Sequence, residues 1–275
     1  MCAPGCLETV HNRLDRRAFF KGAGATAAAG VMAAAYPPKP AAAQTRSFER
    51  VVDMTHTLSP EFPTYFNRPG IEMERMTAIA DDGFNMYRWS VIEHAGTHLD
   101  APIHFSRGDQ HTAEQIPAEQ LVAPLCVIDI KARAADNPDA RLTPDDIKAW
   151  EAQHGPIPDG AAVAMNSGWD QYAQTEKFAG RDADGRMHFP GVHGEATQYL
   201  LEETGAQGLM VDTLSLDYGL STSFDTHYAW LPSNRWGLEN LRNLDQVPAS
   251  GATVVVGAPK IADATGGPTR VFALV

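Results

Sequence analysis

Cysteine is almost missing from this chain. Only three occur in 275 residues, Cys2, Cys6 and Cys126, so a disulfide framework cannot hold it together and rigidity has to come from a buried core. Cationic side chains are also in short supply, with 22 Lys and Arg against 34 Asp and Glu and a formal net charge of −12. A surface of that sign repels phosphate backbones and argues against a nucleic-acid partner. No segment is built to stay in a bilayer: the Ala/Gly-rich run Gly22 to Ala35 offers about 14 residues where a span needs about 20. Internal repeats are absent as well, which sets solenoid architectures aside.

What the N-terminus does contain is ordered. Arg16-Arg17 precedes Phe19-Phe20-Lys21, the Ala/Gly-rich run and then Ala41-Ala42-Ala43, a sequence of basic, apolar and small-residue segments that looks like a twin-arginine export signal over residues 1–43. Cleavage after Ala43 leaves 17 Lys and Arg against 32 Asp and Glu, a net charge of −15, and removes Cys2 and Cys6. The mature protein is then expected to begin near Gln44, outside the cytoplasm, in the periplasm or beyond. It would fold as one domain over 44–275, with Cys126 a buried, inert thiol.

Along that domain, Arg50 to Leu58 reads as a first strand, followed by the aromatic loop Glu61 to Phe66. Ile71 to Ala80 and Phe84 to Glu93, separated by Asp81-Asp82-Gly83, form a hairpin pattern. Leu125 to Ile130 and Ala161 to Met165 read as buried strands, and Asn166 to Asp170 as a polar turn. Thr143-Pro144-Asp145-Asp146 opens a helix that Gly155 stops; Val192 or His193 opens another, which runs to Glu203 and closes at Gly205. Gly208 to Asp212 is a strand, Gly237 to Leu244 a short helix, and Thr253 to Val256 and Val271 to Val275 the last strands. Strands alternating with helices predict one α/β domain with a mixed sheet.

The chemistry concentrates in Glu93-His94-Ala95-Gly96-Thr97-His98-Leu99-Asp100-Ala101-Pro102-Ile103-His104-Phe105, the densest group of metal-ligating side chains. His94, His98, Asp100 and His104 are separated by four, two and four positions, all even and so on one face of a strand, yet a straight strand would hold His94 and His98 about 13 Å apart, too far for one ion. A helix would unite those two only, and Pro102 would clash inside it. The chain is therefore expected to bend here, Gly96 through a positive φ and Pro102 through a fixed one.

The segment His94 to His104 resembles the signature of the cyclase family of metal-dependent hydrolases, which includes bacterial kynurenine formamidase and isatin hydrolase. Further matching segments are the Asp53 strand with Phe62-Pro63-Thr64-Tyr65, Ser167-Gly168-Trp169, Phe189-Pro190-Gly191, Val211 to Asp217, and His227 with Glu239-Asn240-Leu241. The resemblance implies a compact α/β domain of the swivelling β/β/α type and hydrolysis of a small cyclic amide, N-formyl aromatic amine or lactone. It implies one or two Zn or Mn ions on His94, His98, Asp100, His227 and Glu239, with His104 moving protons and Tyr65 facing the substrate. It also implies a homodimer or homotetramer. An export signal turns the substrate expectation away from cytoplasmic tryptophan breakdown and towards isatin-like or other environmental compounds.

Blander readings stand beside these. Three of the ligands plus one more group would close a structural site, though such zinc sites favour cysteine and this stretch has none. An exported metal- or ligand-binding protein without turnover would keep the ions but has no use for a free acid/base such as His104. Phe62, Tyr65 and Phe66, with Trp89 and Trp236, are aromatic enough either to line a pocket or to fill a core. His56, His111, His154, His188 and His193 lack a usable spacing, and Ser167 lacks the glycine pattern of a nucleophile elbow.

Overall fold

The computed structural model describes residues 48–275; the expected export signal, with Arg16, Arg17, Cys2 and Cys6, lies outside them. Strand β1 (Val51–Asp53) precedes a hairpin of β2 (Ile71–Thr77) and β3 (Met86–Val91), joined through the one-turn helix α1 (Ile79–Asp82). After β4 (His98–Asp100) come β5 (Val122–Asp129), α2 (Lys131–Asp136), β6 (Arg141–Leu142), α3 (Pro144–His154) and β7 (Ala162–Asn166). Then follow β8 (Gly191–Val192), α4 (Gly194–Glu203), β9 (Gly208–Val211), α5 (Asp225–Trp230) and β10 (Trp236–Glu239). Three strands end the chain: β11 (Ala252–Gly257), β12 (Gly266–Pro268) and β13 (Arg270–Leu274).

Nine strands form one sheet in the order β1-β13-β11-β5-β7-β9-β10-β4-β12. Its middle, β5 to β10, is parallel, and every other pairing is antiparallel. The parallel strands are apolar on both sides, as burial between two layers requires. Ala162, Ala164 and Met210 point into a cluster that also takes Val52 of β1 and Leu99 of β4, so the sheet curls around this side. Val163, Met165, Leu209 and Val211 point the other way, onto Ile147 and Trp150 of α3 and Ala196 and Leu200 of α4. This is the expected single mixed α/β domain. Cys126 is buried in the second cluster, and burial pushes its thiol up to about 12. Among the described residues no helix is long and apolar enough to cross a membrane.

Two helix expectations change. Gly237 to Leu244 is not a helix: Trp236–Glu239 is strand β10, wholly buried between β9 and β4. Asn240 and Asn243 beyond it adopt φ of 58° and 60°, which a right-handed helix cannot contain. Helix α4 begins at Gly194, because Gly191–Val192 pairs as β8 with β6 and His193 caps the helix by accepting from Glu195 N at 3.2 Å. It runs to Glu203 as expected, with Thr204 rather than Gly205 as its C-cap.

Helix α3 starts where Thr143-Pro144 predicts. The Asp146 carboxylate accepts from the Thr143 amide at 2.8 Å and hydroxyl at 2.7 Å, and from Arg133 of α2 at 3.0 and 2.6 Å. Burial alone would raise its pKa, but hydrogen bonds from Arg133 and Thr143 outweigh that and hold it below the ordinary 3.8. The stabilisation is therefore fully present above the ordinary value and is lost as pH falls through the lower folded one. Asp146→Asn should cost about 1 kcal/mol at pH 7, the usual worth of a helix cap. Denaturant titrations should show the gap shrinking between pH 7 and pH 3; an unchanged gap would rule the charge out as its source.

Candidate metal centre

Side chains two apart on a strand share a face, and both strands at the centre exploit this. In the antiparallel pairing of β4 with β10, His98 lies opposite Glu239 and Asp100 opposite Gly237. His98 and Asp100 do share a strand face, then, and only the outer two histidines, His94 and His104, need the bends. Gly96, at φ +65°, turns His94 back so that its Nδ1 lies 2.7 Å from Asp100 Oδ1. Pro102 opens a 3-10 turn that brings His104 over His94, rings stacked with centroids 3.7 Å apart. Room for Asp100 comes from its cross-strand neighbour: a Cβ on Gly237 would lie 3.3 Å from Asp100 Oδ2 and 2.9 Å from Leu216 Cδ1.

Helix α5 brings in the last imidazole. His227 Nε2 lies 3.2 Å from Glu239 Oε1 and 3.7 Å from Asp100 Oδ2, while His98 Nε2 lies 3.3 Å from both Asp100 Oδ1 and Glu239 Oε2. The five residues expected as ligands thus converge, from segments far apart in sequence. Each outer nitrogen is tied down. His98 Nδ1 faces the Gly96 carbonyl at 2.9 Å and His227 Nδ1 the Asp217 carboxylate at 2.6 Å, acceptors that fix the hydrogen on Nδ1 and turn Nε2 inward. Asn240 also donates to the Gly96 carbonyl, and Leu216 N to Glu239 Oε1.

Electrostatics make the cluster a trap for positive charge. Burial opposes an imidazolium at His98, yet Asp100 and Glu239 lift it to about 10; His227 is raised by Asp100, Asp217 and Glu239 against the same penalty. Burial also opposes ionisation of Asp100, but His98, His227 and His94 hold it well below the usual carboxylate range. His98 Nε2 and Asp100 Oδ2 are buried without a hydrogen-bond partner. Inward imidazole nitrogens, whose protons a divalent ion would displace, carboxylate oxygens and no sulfur make a donor set that fits an ion such as Zn or Mn. Two groups whose donor atoms lie within 4.8 Å of one another share Asp100: His94-Asp100-His104 and His98-Asp100-Glu239.

The cluster closes one end of a cavity whose other walls include Tyr65, Phe66, Phe105, Leu214 and Phe224. Phe224 holds φ +53°, a conformation costly for an aromatic residue, at the entrance to α5. Phe62 is not part of this wall: it packs in a core cluster against Phe178, while Trp236 of β10 is buried in the separate cluster around Leu99 and Met210 and Trp89 lies exposed on the hairpin. Burial pushes the His104 ring down to about 4 against the pull of Asp100. His56 sits between Phe62 and Phe178, His188 pairs with Asp139 and Asp182, and Ser167 donates its hydroxyl to buried Asp212. None of these three lines the cavity. Sequence spacing gave no sign of Asp217, Phe105 or Phe224, whose parts depend on tertiary neighbours.

A mixed α/β fold with a buried cluster of imidazoles and carboxylates at the head of an aromatic cavity suits a hydrolytic enzyme. Comparison with known proteins gives the family. Residues 52–218 match the model of the cyclase family, described as putative cyclase. Isatin hydrolase of Roseibium aggregatum is 37% identical over 242 residues, 82% of this chain and 91% of that one. Kynurenine formamidase of Maricaulis maris is 27% identical over 219 residues, 79% and 94% of the two chains. The crystal structure of an isatin hydrolase bound to the product analogue thioisatinate has a TM-score of 0.77 at 32% identity, covering 95% of this chain and 99% of the other. This chain belongs to the cyclase family and is a hydrolase.

Removing a central donor tests the centre directly. His98→Ala and Asp100→Ala should each abolish retention of Zn or Mn by elemental analysis, with far-ultraviolet circular dichroism unchanged. Glu239→Gln should lower occupancy and His227→Ala should remove mainly a second ion, from as many as two per chain. Full metal content in His98→Ala would take that residue out of the donor set.

Proposed function

We propose that this chain hydrolyses the carbon–nitrogen bond of a small aromatic cyclic amide of the isatin type, with one or two Zn or Mn ions held by His94, His98, Asp100, His227 and Glu239. The observation that carries the reading is the meeting of two unlike surfaces in one cavity, nitrogen and carboxylate donors on one side and Tyr65, Phe66, Phe105 and Phe224 on the other. A divalent ion at such donors polarises a carbonyl and lowers the pKa of water from roughly 15.7 to about 7. The similarity to isatin hydrolase over most of the chain supports a cyclic amide. The pattern of residues 1–43 supports action outside the cytoplasm.

The chain's own residues do the rest. The aromatic walls suit a planar ring, whose faces they can stack against or meet edge-on. His104 lines the cavity, stacked on His94, and its ring makes no hydrogen bond among the described residues, so it has a nitrogen to offer a proton. As water attacks the amide carbon, neutral His104 takes its proton; as the carbon–nitrogen bond breaks, the same proton passes to the departing nitrogen. One water is consumed, and ring opening gives a single product that carries both a carboxylate and an aromatic amine, with one proton released to solvent.

His104→Ala should retain its metal and lose roughly 10²-fold to 10⁴-fold in turnover of isatin, the range of acid/base assistance, followed by the absorbance change on ring opening. Loss of metal in that variant would make His104 a ligand instead. No hydrolysis of isatin by metal-loaded enzyme, with rapid hydrolysis of N-formyl aromatic amines, would move the substrate to the formamide class.

We further propose that a second copy of this chain covers the β2–β3 hairpin. Among the described residues these strands pair only with each other, and Met73, Tyr87, Trp89 and Val91 share one face at 48%, 44%, 66% and 44% exposure. The charge on that face is Arg75, held against the Tyr87 ring, so two acidic chains can meet there without carboxylates opposed. Trp89→Ser with Met73→Ser should shift light-scattering mass from dimer or tetramer towards monomer; an unchanged mass would place the contact elsewhere.

A further inference from the structure

His94 differs from the other two imidazoles of the centre. His98 and His227 have Nδ1 tied to outer acceptors and Nε2 turned inward, but His94 turns Nδ1 towards Asp100 and Nε2 outward to Thr265 Oγ1 at 3.0 Å. Thr265 stands just before β12, and both of its donors point to a single carboxylate. Its hydroxyl lies 2.6 Å from Glu93 Oε2 and its amide 3.2 Å from Glu93 Oε1.

The proton count follows from these distances. An ionised carboxylate only accepts, so the one hydroxyl hydrogen of Thr265 goes to Glu93. The Thr265 oxygen is then left to accept, and the hydrogen it accepts is the one on His94 Nε2. In the neutral ring Nδ1 is then the lone-pair atom, facing Asp100 Oδ1 at 2.7 Å, an approach of two acceptors that a metal ion makes favourable in the loaded site and an added proton makes favourable without one. The ring has been given space for this pose: a Cβ on Gly266 would lie 2.7 Å from His94 Cε1.

We infer that Glu93 and Thr265 are positioning residues that set the tautomer of His94 and make its Nδ1, in contrast to the Nε2 of His98 and His227, the atom offered to a divalent ion. The inference rests on the metal site proposed above. Glu93 immediately precedes His94 at the end of the hairpin, and Thr265 leads into the strand beside β4, so the pair also fastens the bend at Gly96 to the sheet.

Thr265→Val keeps the shape of the side chain and removes the oxygen. Titration with Zn(II), read by competition with a chromophoric chelator, should show affinity weakened about 10-fold to 100-fold, the usual cost of losing such an outer partner. Thr265→Ser should restore it, and long-range proton–nitrogen spectra of the Zn-loaded protein should show His94 with its hydrogen on Nε2. Unchanged affinity in Thr265→Val, failure of Thr265→Ser to rescue, or a hydrogen on Nδ1 would each overturn the inference. A wild-type protein that binds no Zn(II) at all would instead remove the metal site on which it rests.

Discussion

The arrangement turns on one electrostatic demand. Asp100 and Glu239 are 1% and 5% exposed and both reach the same two imidazole nitrogens. Withdrawing even one carboxylate from water costs several kcal/mol, and a second beside it adds repulsion, so the pair persists only with positive charge at its centre. Much of the surrounding structure serves to hold that charge in place. Backbone and carboxylate acceptors lock the imidazoles, strand pairing sets Glu239 opposite His98 and diagonal to Asp100, and aromatic rings keep the cavity side apolar.

The sheet meets this demand with small residues as much as with ligands. Asp100 sits on a strand flanked on both sides, opposite Gly237 of β10 and Gly266 of β12. One glycine leaves space for the Asp100 carboxylate and the other for the His94 ring. Substituting either would press a methyl group against Asp100 or His94 without changing either of those residues. The Phe224 backbone, held at positive φ where the chain enters α5, shows the same priority on the cavity side: local comfort yields to the placement of a side chain.

Much of this was legible before any coordinates. The hairpin, the Thr143 helix start and the need to bend at Gly96 and Pro102 follow from local chemistry, because turn and cap residues act on their immediate neighbours. Trp236–Glu239 was not legible as a strand: four residues with an internal glycine give no alternation to read, and burial between β9 and β4 decides the matter. Phe62 looked like its neighbours Tyr65 and Phe66, but its position in the loop sends it into the core. His227 and Glu239 stood out by family resemblance and not by spacing. Thr265 and Asp217 could not be singled out either, since a threonine or aspartate gains its part only when folding sets an imidazole beside it.

The strand order also bears on how the protein is made. β4 carries His98 and Asp100 early in the chain, yet its two neighbours in the sheet, β10 and β12, come from the last part of it. Pairings of such long separation close late, because the intervening chain must be ordered first. A ribosome-bound chain that has emerged only through β9 already holds three imidazoles and a carboxylate in its signature, but neither the strand that supports them nor Glu239 to complete them. On the proposed donor set, capture of an ion would therefore belong to the end of folding, and a bound ion would certify that the sheet has closed.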